Sequence, residues 1–177
     1  MAHIQQVEFC TAVKNAFPEK FRNCSVLDIG SLDINGNNRY LFEDYKYIGL
    51  DIGPGKNVDV VSKGHEYNTE ERFDIIISTE CFEHDKFYDK TIRNAIRLLK
   101  PGGLLLFSCA TTGRHPHGIA EHCPESSPHS HVEFDNYYKN VTEADVRETV
   151  NVAYEFSQYA FSTNPVSCDL YFWGIKK

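Results

Sequence analysis

The sequence lacks several features that would assign it to particular classes of protein. No apolar run approaches the roughly 20 residues of a membrane-spanning helix, and the N-terminal stretch lacks the continuous apolar region of a signal peptide. No dense Lys/Arg cluster offsets the net charge of −7, which argues against a general nucleic-acid-binding surface. There are no internal repeats or low-complexity tracts, so we expect the 177 residues to form a single domain.

Paired cysteine motifs are also missing, although the sequence has six cysteines. They are widely scattered, no two of them form a C-x-x-C pair, and several lie in strand-like segments. Free cysteine in such segments behaves as a small buried apolar residue. We therefore predict reduced thiols and a cytoplasmic protein. The six are Cys10, Cys24, Cys81, Cys109, Cys123 and Cys168.

One stretch of the sequence, residues 26–51, has the layout of a nucleoside-binding β-α-β unit. An apolar strand at residues 25–29 breaks at Gly30 into a turn rich in Ser, Asp and Asn, and a short helical pattern follows at residues 40–42. A second strand then ends in Asp51. A glycine after the first strand lets the backbone approach a ligand, and an acid about 20 residues later accepts hydrogen bonds from ribose hydroxyls.

The glycine turn is not the full G-x-G-x-x-G pattern of dinucleotide-binding proteins. Leu32 and Ile34 stand where further glycines would be, and only Gly36 follows. A pyrophosphate needs close backbone approach at a helix start, whereas a ligand without phosphates tolerates bulkier neighbours. The pattern therefore favours an adenosine that carries an amino-acid tail over NAD.

Further apolar patterns predict the remaining elements of an α/β fold. They predict a helix in the N-terminal segment 1–22, strands at 57–61, 73–79 and 104–109, and an amphipathic helix at 86–99 that Pro101-Gly102-Gly103 ends. A capping box at Thr142–Asp145 opens a helix that extends to about Val152, and strands at 154–161 and 169–175 form a final hairpin. Because two consecutive strands with a short connection pair antiparallel, we predict a mostly parallel seven-stranded sheet with an antiparallel last strand.

Residues 111–140 have no usable periodicity and contain five of the eight histidines. A structureless segment of this length is typical of a functional loop, so we place it on the substrate side. Its histidines and cysteine suit zinc, but their spacing fits no standard zinc pattern, and we predict polar or substrate contacts and no metal. A metal-binding regulatory protein stays open as an alternative. The candidate ligands for it are His115, His117, His122, Cys123, His129 and His131.

Four signatures in the right order resemble the class I S-adenosylmethionine-dependent methyltransferases: VLDIGS, YIGLD, FDIIISTECFEH and LLKPGGLLLF. The resemblance covers roughly residues 26–109, and it is especially similar to the small branch whose first motif runs IGS…NG. It implies a Rossmann-like three-layer α/β sandwich. It also implies methyl transfer from S-adenosylmethionine to an unidentified small or medium molecule.

The resemblance implies a set of cofactor-binding residues by position. Asp28 and Gly30 would lie beneath the methionine end, with Ser31 and Asp33 near its amino or carboxylate groups. Asp51 would hold the ribose hydroxyls. The rest of the implied set consists of Ile52 against adenine, Gly64 and His65 near the adenine amino group, and Thr79, Glu80 and Cys81 against the methionine portion.

His84 is the main catalytic candidate, because it follows the strand end where the methyl group should be. The alternative is a histidine at a helix start that only shapes the pocket. Arg114, His115 and His117 are expected to face the substrate, and His115 is the second catalytic candidate. Two other functions stay open: a degenerate methyltransferase fold that binds a nucleoside or a partner without catalysis, and a nicotinamide-dependent oxidoreductase. The oligomeric state is not readable from the sequence.

Overall fold

Seven strands and five α-helices make up the regular structure of residues 3–177, the part of the chain that the computed structural model describes. The helices are α1 (Ile4–Ala16), α2 (Tyr88–Leu98), α3 (Ser130–Glu133), α4 (Glu143–Thr149) and α5 (Val152–Glu155). The strands are β1 (Ser25–Ile29), β2 (Lys46–Asp51), β3 (Val60–Val61), β4 (Phe73–Thr79), β5 (Leu99–Ala110), β6 (Phe156–Asn164) and β7 (Asp169–Lys176). No helix in this part of the chain is both long and apolar enough to cross a bilayer.

All seven strands form one sheet in the order β3-β2-β1-β4-β5-β7-β6. The pairs among β1 to β5 are parallel, and β7 pairs antiparallel with both β5 and β6. The predicted fold class, a Rossmann-like sandwich with a mostly parallel sheet and an antiparallel last strand, is confirmed. In such a sheet the strand order reverses beside β1, which is where ligands of open α/β sheets bind.

The central strands of the sheet are buried on both faces, and their successive side chains point into opposite layers. In β4, Ile76 packs into the core beneath α2 and α4, whereas Ile75 and Ile77 pack into the core beneath α1. All three side chains are fully buried. The run of isoleucines that predicted a central strand therefore serves two cores.

Several element boundaries differ from the predicted ones. The helical pattern at residues 40–42 is a single 3-10 turn, Asn38–Leu41, so β1 and β2 are joined without an α-helix. Helix α2 ends at Leu98, and the Pro-Gly-Gly segment belongs to an irregular part of β5, with Gly102 at φ +74°. The capping box opens α4 as predicted, but the chain becomes extended at Val150 and a separate α5 follows.

Candidate active site

A cavity of about 380 Å³ opens at the carboxyl ends of β1, β2 and β4. This volume lies within the range of small-molecule sites. The turns after these three strands form its floor, and helix α1 and residues 126–130 of the long loop form its sides. The sequence patterns that predicted a nucleoside site thus converge on one cavity.

Gly30 lets the turn after β1 contact the turn after β4. Its φ is +78°, and a Cβ at this position would lie 2.5 Å from both Cβ and Sγ of Cys81. Such a contact is too short for any other residue, and the left-handed backbone also favours glycine. Gly30 therefore brings the two strand ends together along the cavity.

Asp51 lies at the tip of β2 and lines the cavity from the other side. One carboxylate oxygen accepts a hydrogen bond from the N–H of Leu32 at 3.0 Å, and the other from the N–H of Gly53 at 3.4 Å. Burial raises the pKa of this carboxyl above its usual value. Because a carboxylate has about four lone-pair positions, the two main-chain bonds fix its orientation and leave positions for a ligand.

Asp28 is buried under the cavity and is already hydrogen-bonded. The Tyr47 hydroxyl donates to its carboxylate, and the Asn38 side-chain amide approaches at 3.3 Å while also donating to Thr79 Oγ1 at 3.1 Å. Burial raises the pKa of Asp28 to about 6. Sequence reasoning missed both residues: Asn38 lies outside the quoted signatures, and Tyr47 opens the signature YIGLD, in which only Asp51 was assigned a role.

The other predicted site residues divide into two groups. Asp33, His65 and His115 are not among the residues that line the cavity. Asp33 pairs with Lys56 of the loop after β2 at 2.9 Å, which lowers its pKa to about 2, and the His65 ring packs on Phe87 with centroids 4.5 Å apart. Those that do line it are Ser31, Ile52, Gly64, Thr79, Glu80 and Cys81.

A salt-bridge cluster, which we call the latch cluster, fixes the start of α1 beside the cavity. His3 Nε2 lies 3.1 Å from Asp169 and 3.5 Å from Glu80. These two carboxylates, Asp169 first, raise the pKa of His3 to about 10, so the imidazole is positively charged at neutral pH. Gln6 and Val7 of α1 are thereby held in the cavity wall.

Residues 126–134 belong to the long loop that the sequence placed on the substrate side, and they cover the other side of the cavity. His129 Nε2 lies 3.2 Å from the carbonyl oxygen of Pro54, and its ring lies so close to Gly53 that a Cβ there would be 2.2 Å away. Lys63 pairs with Glu133 at 2.6 Å. Lys63, which directly precedes the predicted adenine-site residues Gly64 and His65, therefore holds the loop in place. The length and missing periodicity of residues 111–140 indicated a functional loop, but no pattern singled out residues 126–134.

A second cluster, which we call the acceptor cluster, consists of Glu83, His84 and His117. The Glu83 and His84 side chains are buried, and the His84 and His117 ring centroids lie 5.0 Å apart. Burial raises the pKa of Glu83 to about 8, although nearby main-chain N–H groups lower it in part. Burial also lowers the pKa of His84 to about 3. His84 borders the cavity, whereas His115 is exposed outside it.

The histidines of the long loop do not gather into a site of their own among residues 3–177. His122 and Cys123 are exposed, His129 contacts Pro54, and His131 lies 2.9 Å from the carbonyl oxygen of Ser127. Of these loop histidines, His117 alone belongs to a group of potential metal ligands that the described residues form. Its partners come from the turn after β4.

Comparison with known proteins places this arrangement in context. The profile of the methyltransferase domain matches residues 1–141. The sequence has no significant match among curated proteins.

Several solved structures share the fold. The 1,6-didemethyltoxoflavin-N1-methyltransferase of Burkholderia thailandensis, crystallised with its substrate and S-adenosylhomocysteine, is 18% identical with a TM-score of 0.64, covering 95% of this chain and 76% of that chain. The N-methyltransferase NodS of Bradyrhizobium japonicum, in complex with S-adenosylhomocysteine, is 14% identical with a TM-score of 0.62, covering 96% and 86%. Phosphoethanolamine N-methyltransferase 2 of Haemonchus contortus is 17% identical with a TM-score of 0.63, covering 97% and 52%.

Proposed function

The chain belongs to the methyltransferase-domain family, and we propose that it transfers a methyl group from S-adenosylmethionine to a small or medium molecule. The observation that carries the proposal is the pairing of Gly30 and Asp51 across one cavity. Gly30 allows the turn after β4 to pack closely against the end of β1. Asp51 presents an oriented carboxylate at the end of β2. An adenosine that carries an amino-acid tail fits both features.

The chemistry of the cavity residues fits this cofactor. Asp51 accepts hydrogen bonds from the ribose hydroxyls, and Ile52 packs on the adenine ring. Asp28 and Ser31 border the amino-acid end, together with the turn after β4. Ser62 and Gly64, which also line the cavity, are assigned to the adenine region.

S-adenosylmethionine supplies a methyl group on a positively charged sulfur, which is already activated for transfer. The protein therefore has to align the acceptor and exclude water. Helix α1 and residues 126–134 exclude water from the cavity, and the salt bridges of His3 and Lys63 hold them in place. His84 lies at the acceptor end and orients the incoming molecule.

Two of the proteins of similar fold, those of Burkholderia thailandensis and Haemonchus contortus, were crystallised with small molecules that contain the acceptor, which supports a small-molecule acceptor. We also propose a cytoplasmic location, because the six cysteines are free thiols. His115 lies outside the cavity, and we propose no role for it in methyl transfer. For Asp33 and His65 the cofactor contact stays a prediction, which the geometry of their side chains does not support.

The experiment that tests the function is a turnover assay with S-adenosylmethionine labelled in its methyl group. Purified protein is incubated with the small-molecule fraction of a cell extract, and S-adenosylhomocysteine and labelled products are measured. We expect both to accumulate with the unaltered protein and with Glu70→Ala, an exposed acid outside the cavity. Asp51→Ala should lose at least 90% of the turnover, which corresponds to an increase on the order of 1.4 kcal/mol or more in the activation free energy.

Turnover retained by Asp51→Ala would contradict the assigned cofactor site. A protein that binds S-adenosylhomocysteine but transfers no methyl group to any fraction would contradict catalysis, and would instead indicate a degenerate fold that only binds the nucleoside.

A further inference from the structure

The acceptor cluster brings three potential metal ligands together from two separate segments. Glu83 and His84 follow β4, whereas His117 comes from the long loop. One ligand atom from each residue lies within 4.8 Å of the other two. The 4.8 Å limit applies to the distances between the ligand atoms. A small inward movement of the side chains would bring each atom to about 2.0–2.2 Å from a common metal ion.

The polar atoms of this cluster are buried without partners. Neither carboxylate oxygen of Glu83 forms a hydrogen bond of good geometry among residues 3–177, although the main-chain N–H groups of Glu83 and Ala110 lie nearby, and His84 Nδ1 has no partner in the same part of the chain. Glu83 is 0% exposed and His84 is 5% exposed. The Tyr138 hydroxyl, whose ring packs on both histidines, is also unpartnered in this part of the chain. Buried polar atoms are normally paired, so binding of a metal ion would provide these atoms with a partner.

The loop is built to bring His117 to this position. Gly118 has φ +63°, and a Cβ there would lie 2.7 Å from Cε1 of His84, so only glycine allows the approach. Beyond the loop, the N–H of Lys139 donates to the carbonyl oxygen of Glu83 at 2.9 Å. The segment that carries His117 is therefore packed on His84 near one end and hydrogen-bonded to Glu83 at the other.

The latch cluster has a similar composition, and within residues 3–177 His3 Nε2 and Glu80 Oε2 also form no hydrogen bond of good geometry, but its charges are already paired. His3 neutralises Glu80 and Asp169, and Arg114 adds a second cation 3.2 Å from Asp169. The acceptor cluster has neither lysine nor arginine among its three members.

We propose that Glu83, His84 and His117 bind a divalent transition-metal ion, with zinc as the best match. Two imidazoles and one carboxylate are a common protein ligand set of catalytic zinc, whose fourth position stays open for water or substrate. His84 borders the cavity, so the open position faces the acceptor end. Metal binding itself is independent of the methyltransferase assignment. A role of the ion in holding a substrate oxygen or nitrogen and favouring its deprotonated form rests on the proposed function.

Zinc titration of chelator-stripped protein tests the proposal, with metal content measured by mass spectrometry and affinity by calorimetry. The unaltered protein should bind one equivalent. His117→Ala and Glu83→Gln should each weaken zinc binding at least about 100-fold. Loss of a residue that only hydrogen-bonds to a ligand would weaken it about 10- to 100-fold. His115→Ala is the matched control, because His115 belongs to the same loop but is exposed outside the cluster. It should bind zinc as the unaltered protein does.

S-adenosylhomocysteine binding, measured on the same samples, shows that each variant is folded and separates this proposal from the proposed function. Loss of zinc binding with S-adenosylhomocysteine binding intact supports the cluster as the metal site. Absence of stoichiometric zinc in the unaltered protein overturns the metal site, and so does full zinc affinity in both His117→Ala and Glu83→Gln. In either case the methyltransferase assignment stands.

Discussion

The latch cluster and the acceptor cluster both bring histidine and carboxylate side chains together at the same edge of the sheet, but their charges are neutralised differently. In the latch cluster, His3 and Arg114 neutralise Asp169. In the acceptor cluster, the oxygens of Glu83 form no hydrogen bond of good geometry among residues 3–177. A group of histidine and carboxylate side chains can therefore have a structural role or be available to a ligand. Whether its buried charges are already paired decides between the two.

The largest effect should come from breaking the latch cluster at Asp169. This side chain is 0% exposed, and Asp169→Ala leaves the cations of His3 and Arg114 without their main partner. Removing one member of a buried ion pair is strongly destabilising, so we expect a loss of about 3 kcal/mol in the free energy of unfolding, measured by urea denaturation. A loss below about 1 kcal/mol would contradict a structural role for this cluster.

The corresponding change in the acceptor cluster should have the opposite sign. Glu83→Met replaces an unpartnered buried carboxyl with an apolar side chain of similar length. In the presence of a chelator, we expect the free energy of unfolding to stay unchanged or to rise by up to about 2 kcal/mol, because no hydrogen bond is lost. The same urea denaturation checks it, and a clear destabilisation would indicate that Glu83 has partners in the folded protein.

The latch cluster should also make the free energy of unfolding decrease as the pH becomes alkaline. The folded-state pKa of His3 is raised from 6.5 to about 10, mainly by Asp169. Its contribution is therefore fully present below pH 6.5 and is lost as pH rises towards 10. Since 21% of the side chain is exposed, we expect a loss on the order of 1–2 kcal/mol.

Urea denaturation between pH 6 and pH 10 measures this dependence, with His3→Gln as the comparison. The difference in stability between the two proteins should shrink as pH rises. A difference that stays constant over this range would show that the His3 imidazole does not titrate with the raised pKa.

The smallest effect is expected at Asp33, a carboxylate that is satisfied but lies outside the cavity. Its oxygens are bound to Lys56 and to groups of its own loop. Asp33→Ala should change the dissociation constant for S-adenosylhomocysteine less than about threefold, because the Asp33 side chain does not line the cavity and its partner Lys56 is mostly exposed. Calorimetric titration checks this value. A much larger change would restore Asp33 to the cofactor site that the sequence motif predicted.

The cofactor side of the molecule could be predicted from the sequence because its signals are local. Strands β1, β2 and β4 appear as short apolar runs, and Gly30 and Asp51 follow them at fixed distances. The parallel sheet then brings these strand ends together without further information. The fold class followed from the same patterns.

The acceptor side could not be predicted in the same way, because its contacts join residues far apart in the chain. Nothing near His117 in the sequence indicates that it meets His84, and nothing near Lys63 indicates its pairing with Glu133. His115 and His117 are equivalent in the sequence pattern, and the turn at Gly118 brings only His117 into contact with His84. The pairing of buried atoms depends on packing, which composition and spacing do not describe.

Calorimetric titration with S-adenosylhomocysteine, on the unaltered protein and on Asp51→Ala, is the most direct test of the central claim. We predict one equivalent bound by the unaltered protein, no binding of NAD in the same assay, and an affinity at least about tenfold lower in Asp51→Ala, a difference of 1.4 kcal/mol or more. The reason is that the oriented Asp51 carboxylate accepts the ribose hydroxyls. Absence of binding by the folded, unaltered protein would contradict the claim that this cavity holds the methyl donor.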